Sequence, residues 1–279
     1  MAQNIILIET STALCSVALA ENGQITAYRE SSAPKAHASL TAVFIQEMLD
    51  ERGLTLADCD AVCVSKGPGS YTGLRVGVST AKGLCFGSKK PLIAVGTLDT
   101  LVAQALCHSE SGCHSEHNCH PERNCHPEHN CHPERSEGSP YRFIIPMIDA
   151  RRMEVYAAVF STCGPESDCH PESYCHPEHS EGSPSYRQIT ETAPAIIDET
   201  SFAEYLEQGP CLFIGDGAGK CADVIKHPNA HFCQCHPNAK AMLAPAMAAL
   251  NEKQFEDVAY FEPFYLKEFV ATVSKKKLF

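Results

Sequence analysis

The chain has 279 residues, 44% of them hydrophobic, enough for one large domain or two smaller ones with a buried core. Its formal charge of −12 argues against a free-standing nucleic-acid binder, because phosphate contacts need clustered Lys and Arg, and the one basic cluster, Lys275 to Lys277, reads as a solvated tail. There is no run of eighteen apolar residues, and MAQNIILIET has no signal-peptide pattern, so the expectation is a cytoplasmic protein with no membrane association.

NIILIE (4–9) and CSVALA (15–20) predict strands, and QITAYRE (24–30) predicts a third after the hairpin signal Asn22-Gly23. In ASLTAVFIQEMLDERG, Leu40, Val43, Phe44 and Met48 recur at helical spacing, with Gly53 as the stop. AVCVS (61–65) predicts a short buried strand, followed by a glycine-rich loop and a helix from about Thr72 to Phe86. PLIAV (91–95) is the next strand and TLDTLVAQAL (97–106) the next helix. Farther on, FIIPMID (143–149) and MEVYAAVF (153–160) predict strands, SYRQIT (185–190) a hairpin partner, CLFIG (211–215) a strand, and 218–226 and 239–252 helices. One strand-rich α/β half followed by another implies two related subdomains, residues 1–103 and 104–279.

Sixteen cysteines suggest a disulfide or metal protein until they are mapped. Five fall at 107, 113, 119, 125 and 131 and three at 163, 169 and 175, both with a period of six. The units resemble CHPEHN, both tracts end in nearly the same ten residues, and a shorter echo, CQCHPN, begins at Cys233. These tracts, 107–140 and 163–184, hold almost no aliphatic residues and cannot bury a core, so they are expected to be low-complexity loop insertions. They carry net charges of −4 and −5, which leaves the rest of the chain only mildly acidic. Neighbouring Cys and His can take up zinc, nickel or copper, but the spacing matches no zinc-finger pattern, and the expected metal set is none. Cys15, Cys59, Cys63, Cys85, Cys211 and Cys221 sit mostly in apolar segments and read as reduced core residues.

The segment KGPGSYTGLRVG (66–77) raises the question of what its glycines do. Inside a helix, Gly73, Gly77 and Gly83 each cost about 1 kcal/mol against alanine. Leu74, Val78, Ala81 and Cys85 form one face, which should meet a sheet, while Gly73, Gly77 and Thr80 form another that admits a second backbone. That second backbone belongs either to the same chain or to a partner. The loop leads into a helix N-terminus and so suits an anion, yet it lacks the Gly-Lys-Ser/Thr ending of a P-loop. IGDGAGK (214–220) is one residue short of a P-loop, and its Asp216 is either a nucleotide contact or a turn-forming aspartate. His227 and His231 are spaced as His-x-x-x-His, but Pro228 predicts a loop instead of one helix face. Asp149, Arg151 and Arg152 end an apolar strand and read as a hairpin turn with an ion pair. Neither HExxH nor a nucleophile elbow occurs.

IILIETSTALCSVAL, KGPGSYTGLRVGVSTAKGL, MIDARRMEVYAAVF, IGDGA and FEPFYL resemble, in order, segments of the TsaB family, which takes part in bacterial tRNA threonylcarbamoyladenosine synthesis. The resemblance implies two RNase H-like subdomains of the actin/Hsp70/sugar-kinase (ASKHA) type. It also implies a non-catalytic scaffold that activates a TsaD-like catalytic subunit, with a TsaE-like ATPase joining, tRNA met only through the complex, and no cofactor. In that family the segment after GPGS helps to form a helical interface, used for self-pairing or for pairing with TsaD. The implied interface residues are Gly67, Pro68, Gly69, Tyr71, Thr72, Gly73, Arg75 and Gly77. TsaD members carry a metal-binding His-x-x-x-His after the strand that follows the glycine helix; Thr97 and Leu101 stand at those positions here, so no catalytic residues are expected. The alternative is an ATP-dependent phosphotransferase of the same fold, with Glu9, Ser11 and Asp216 as remnants of nucleotide loops; the turn Glu9-Thr10-Ser11-Thr12 lacks the glycine of an actin-type phosphate hairpin.

Overall fold

The computed structural model describes residues 3–110, 139–162 and 186–266. The expectations for the two tracts and for the basic C-terminus therefore lie almost wholly outside the described residues. The N-terminal half forms a five-stranded sheet from β1 (Asn4–Glu9), β2 (Cys15–Glu21), β3 (Gln24–Ser31), β4 (Ala61–Gly67) and β5 (Leu92–Gly96). Their order is β3-β2-β1-β4-β5, antiparallel through the first three and parallel from β1 to β5. The central strands read as unbroken apolar runs because both faces are covered. Ile6 and Ile8 face α1 (Ala36–Arg52) and α2 (Tyr71–Ser88), whereas Ile5 and Leu7 face a short 3-10 turn at Ala239–Met242 and helix α6 (Leu243–Asn251). Gly53 ends α1 in the left-handed conformation at φ 64°, as a C-terminal glycine should.

The second sheet repeats the topology with β6 (Phe143–Asp149), β7 (Glu154–Ala157), β10 (Ala193–Ile196), β11 (Cys211–Gly215) and β12 (Ala230–Gln234) in the order β10-β7-β6-β11-β12. Two short strands, β8 (Phe160–Thr162) and β9 (Tyr186–Gln188), extend it from β6. Helices α4 (Ala203–Leu206) and α5 (Ala218–Ala222) cover one face, and α3 (Thr97–Glu110) covers the other. Each half thus contains the same five-strand unit, two of whose links are antiparallel and two parallel, and the chain is a two-sheet α/β fold of the ASKHA type.

Three local readings change. MEVYAAVF is two strands, because β7 pairs with the C-terminal end of β6 while β8 pairs with its N-terminal end. APAI forms β10 despite Pro194, which an edge strand tolerates. The stretch AHFCQ, whose last two residues open the repeat echo, forms the parallel edge strand β12. The six cysteines read as core residues are all buried free thiols, and burial raises Cys59, Cys85, Cys211 and Cys221 to about 11.

Candidate functional site

Strand β4 runs straight into the glycine segment. A cis Gly67-Pro68 bond turns the chain, and Gly67 sits at φ 107°, where a side chain would also meet the Phe264 carbonyl at 2.8 Å. Ser70 then caps α2, accepting from the Gly73 amide at 3.3 Å, and its own amide donates to the Ser11 carbonyl at 2.6 Å. The Ser70 side chain thereby satisfies one of the amides left without an intrahelical partner at this helix start.

The second backbone implied by the glycines belongs to the same chain. A Cβ on Gly69 would collide with the Ser11 carbonyl, one on Gly73 with the Thr10 carbonyl, and one on Gly77 with Thr10 Oγ1. The glycine face of α2 lies on the turn between β1 and β2. Leu74, Val78, Ala81 and Cys85 are buried on the neighbouring face, as their spacing predicts. The remaining face is open: Thr72, Arg75, Ser79 and Gly83 are exposed, and Phe86 at its end is 83% exposed. Arg75 lies over the Tyr71 ring at 4.7 Å, and Tyr71 packs on Tyr265 with 4.8 Å between ring centres. Lys82 ties the C-terminal segment down by donating to the carbonyls of Ala259 at 3.1 Å and Phe261 at 3.0 Å.

The turn gripped by α2 contains Glu9 and Ser11. Both are fully buried, and the Ser11 amide donates to Glu9 Oε1 at 2.7 Å. Burial pushes the Glu9 carboxyl above its ordinary range, partly opposed by the hydrogen bond from the Ser11 amide. Asp216 belongs to a separate polar group in the second sheet. It accepts from the Asp149 amide at 2.9 Å, burial raises its carboxyl, and Gln234 donates to its backbone carbonyl at 2.9 Å. Lys220, which the sequence reading did not single out, joins this group: it pairs with Asp149 and donates to the carbonyls of Arg152 at 2.8 Å and Glu154 at 2.7 Å. Arg151 and Arg152 form the exposed hairpin tip, both at positive φ. Asp216 thus links the end of β6 to the loop that follows β11.

Thr97 and Leu101, the positions of the TsaD histidines, open α3. Thr97 is buried with its hydroxyl 2.8 Å from that of Ser65, and Leu101 is in the core. His227 lies in a loop, accepting from the Asn229 amide at 3.1 Å, while His231 is on β12 with its ring 5.3 Å from Tyr141. Among the described residues no group of three His, Cys, Asp or Glu side chains converges to hold a metal. The sequence also gave no sign of a hollow of about 440 Å³ lined by Lys66, Pro68, Asp99, Gln188 and Glu191. Burial raises the Asp99 carboxyl, with Lys66 opposing the shift.

A family model described as TsaD, tRNA N6-adenosine threonylcarbamoyltransferase, matches residues 29–115. The tRNA threonylcarbamoyladenosine biosynthesis protein TsaB of Escherichia coli K12 is 39% identical over 101 residues, 36% of this chain and 43% of that protein. TsaB of Haemophilus influenzae is 43% identical over 105 residues, 37% of this chain and 44% of that protein. Over little more than a third of its length, then, the chain is similar to TsaB proteins. It spans less than half the length of these curated relatives. The structure of YeaZ from Pseudomonas aeruginosa superposes with a TM-score of 0.69 at 22% identity, covering 95% of this chain and 100% of that one, which shows the fold. No helix among the described residues is long and apolar enough to cross a membrane.

Proposed function

We propose that this chain is a non-catalytic subunit of an assembly that transfers a threonylcarbamoyl group to tRNA adenosine beside the anticodon, and that it acts by binding a TsaD-like catalytic subunit. The observation that carries the reading is the closure of the β1–β2 turn. The glycine face of α2 occupies the space over Thr10 and Ser11, where an ASKHA enzyme would admit phosphate. Thr97 and Leu101 supply no imidazole, and the similarity to TsaB proteins points the same way. A division near residue 103 separates the half that would bear the interface from the half that carries the tracts. A TsaE-like ATPase joins the assembly, tRNA is met only through it, and self-pairing through the same face is the free protein's alternative. The cytoplasm, where tRNA is modified, is the proposed location.

The interface is assigned to the open side of α2 and its approach: Tyr71, Thr72, Arg75, Ser79, Gly83 and Phe86. Gly67, Pro68, Gly69, Gly73 and Gly77 act beneath it by holding the helix against the β1–β2 turn. The test is size-exclusion chromatography of the full chain with the TsaD-like subunit of the same organism, coupled to an assay of tRNA modification. A mixed complex that modifies tRNA only when this chain is present supports the reading. The double variant S79R/F86D should bind at least tenfold more weakly, since a charge buried at the centre of an interface costs about 2 kcal/mol or more. Equal binding by that variant, folded as judged by circular dichroism, overturns the assignment of the interface. ATP turnover that depends on Glu9 would instead favour a phosphotransferase.

A further inference from the structure

The CQCHPN segment, a fragment of the repeat by sequence, is built into the fold as an edge strand and the residues just after it. Alternation along β12 sorts its side chains. Phe232 packs into the cluster around Phe213 and α5, and Gln234 reaches the same side, accepting from the Gly219 amide at 2.5 Å. Cys233 and Cys235 point the other way, and both pack against the cluster formed by α3 and the opposite face of the sheet. Both ends are fixed: Cys233 is in register with Ile214, and the Cys235 amide donates to the Gly215 carbonyl at 3.3 Å. Both side chains lie on this one face and are partly exposed. Cys15, Cys59, Cys63, Cys85, Cys211 and Cys221, by contrast, are buried.

We propose that Cys233 and Cys235 form a dithiol site that binds one soft, thiophilic centre, such as trivalent arsenic, through both sulfurs. Strand geometry favours this over a disulfide. Alternate residues on one strand face are about 6.6 to 6.8 Å apart along the chain, whereas a disulfide draws its Cβ atoms to about 3.5 to 4.5 Å. Closing that bond would pull the edge strand out of its pairing with β11. A pyramidal bridging centre bonded to each sulfur at about 2.3 Å, the zinc–thiolate distance, holds the sulfurs about 3.5 Å apart against about 2.05 Å in a disulfide, so the strand has to close far less. The atoms balance without an oxidant. With phenylarsine oxide as probe, each thiol loses its proton, each sulfur forms one bond to arsenic, and the two protons leave with the oxide oxygen as one water.

The test uses the full chain, reduced and treated with one equivalent of phenylarsine oxide, then alkylated and mapped by tandem mass spectrometry. Residue-resolved mapping is needed because the tracts also carry cysteines. The expected result is that Cys233 and Cys235 are protected from alkylation together, by at least tenfold, before the tract cysteines are. Cys233→Ser should abolish protection of Cys235, and Cys235→Ser should abolish protection of Cys233, with circular dichroism unchanged. Alkylation of both at the untreated rate overturns the proposal, as does protection of either cysteine that survives loss of the other.

Discussion

Glu9 is a carboxyl placed at the end of a central strand with no exposure to water. Its charged form loses hydration there, and the hydrogen bond from the Ser11 amide recovers only part of it, so the folded protein holds the proton more tightly than the unfolded chain, whose ordinary value is 4.5. For an acid raised in this way the linkage runs downward with pH. The stabilising contribution is complete below 4.5 and is lost as pH rises through the folded-state value, because the folded state then binds more protons than the unfolded one. Glu9→Gln keeps the shape and removes the titration. Its urea-unfolding stability is expected to exceed that of the wild type at pH 8, with the gap shrinking as pH falls towards 4.5. A gap that does not depend on pH would mean that the Glu9 carboxyl titrates alike in the folded and unfolded chain, as a hydrated group would. Asp99 and Asp216 are raised by burial as well, so the wild-type profile is their sum with Glu9, and the difference between wild type and variant isolates Glu9.

The glycines of α2 have different roles although they share one helix. Gly73 and Gly77 face Thr10, and a Cβ at either would collide with it; Gly83 has no atom within 4 Å of where its Cβ would sit. Alanine is better than glycine in a helix by about 1 kcal/mol, so Gly83→Ala is expected to stabilise by about that amount. Gly73→Ala and Gly77→Ala are expected to destabilise, because a backbone carbonyl and a β-branched side chain must move aside. Thermal unfolding of the three variants checks the opposite signs, and a gain at Gly73 would mean that the β1–β2 turn yields easily. The elements show in the same way where sequence reading works. The strands around Ile5 to Ile8, the apolar face of α2 and the stop at Gly53 were legible, since apolar runs, 3.6-residue spacing and a left-handed glycine are local signals. Which backbone the glycine face meets was not, because Thr10 lies more than sixty positions away and its contact leaves no periodic trace. Strand β12 was also missed: the repeat-like CQCHPN overlapped it and masked the alternation of Phe232 and Gln234 against Cys233 and Cys235.

At the scale of the whole molecule, the two sheets exchange helices. Helix α3 follows the last strand of the first sheet, yet Leu98, Leu101, Val102 and Leu106 pack with Ile144, Ile148 and Ile214 of the second. The segment after the last strand of the second sheet does the reverse: Ala239, Met242 and Ala246 pack with Ile5, Leu7 and Ile93 of the first. The Ala239 amide also donates to Ser16 Oγ on β2 at 3.0 Å, and Asn238 donates to Gln104 on α3 at 2.9 Å. Each sheet therefore has one face completed by chain that follows the other, and neither half closes its core alone. Truncating one of these residues should be felt on both sides. Leu101→Ala and Met242→Ala are each expected to cost about 2 to 5 kcal/mol, the range for removing a buried Leu or Met side chain. Unfolding should stay a single transition, and in Leu101→Ala hydrogen exchange should accelerate in β1 and β4 as well as in β6 and β11. Acceleration confined to the second sheet, or a second unfolding step, would show that the halves are energetically separate despite the exchange.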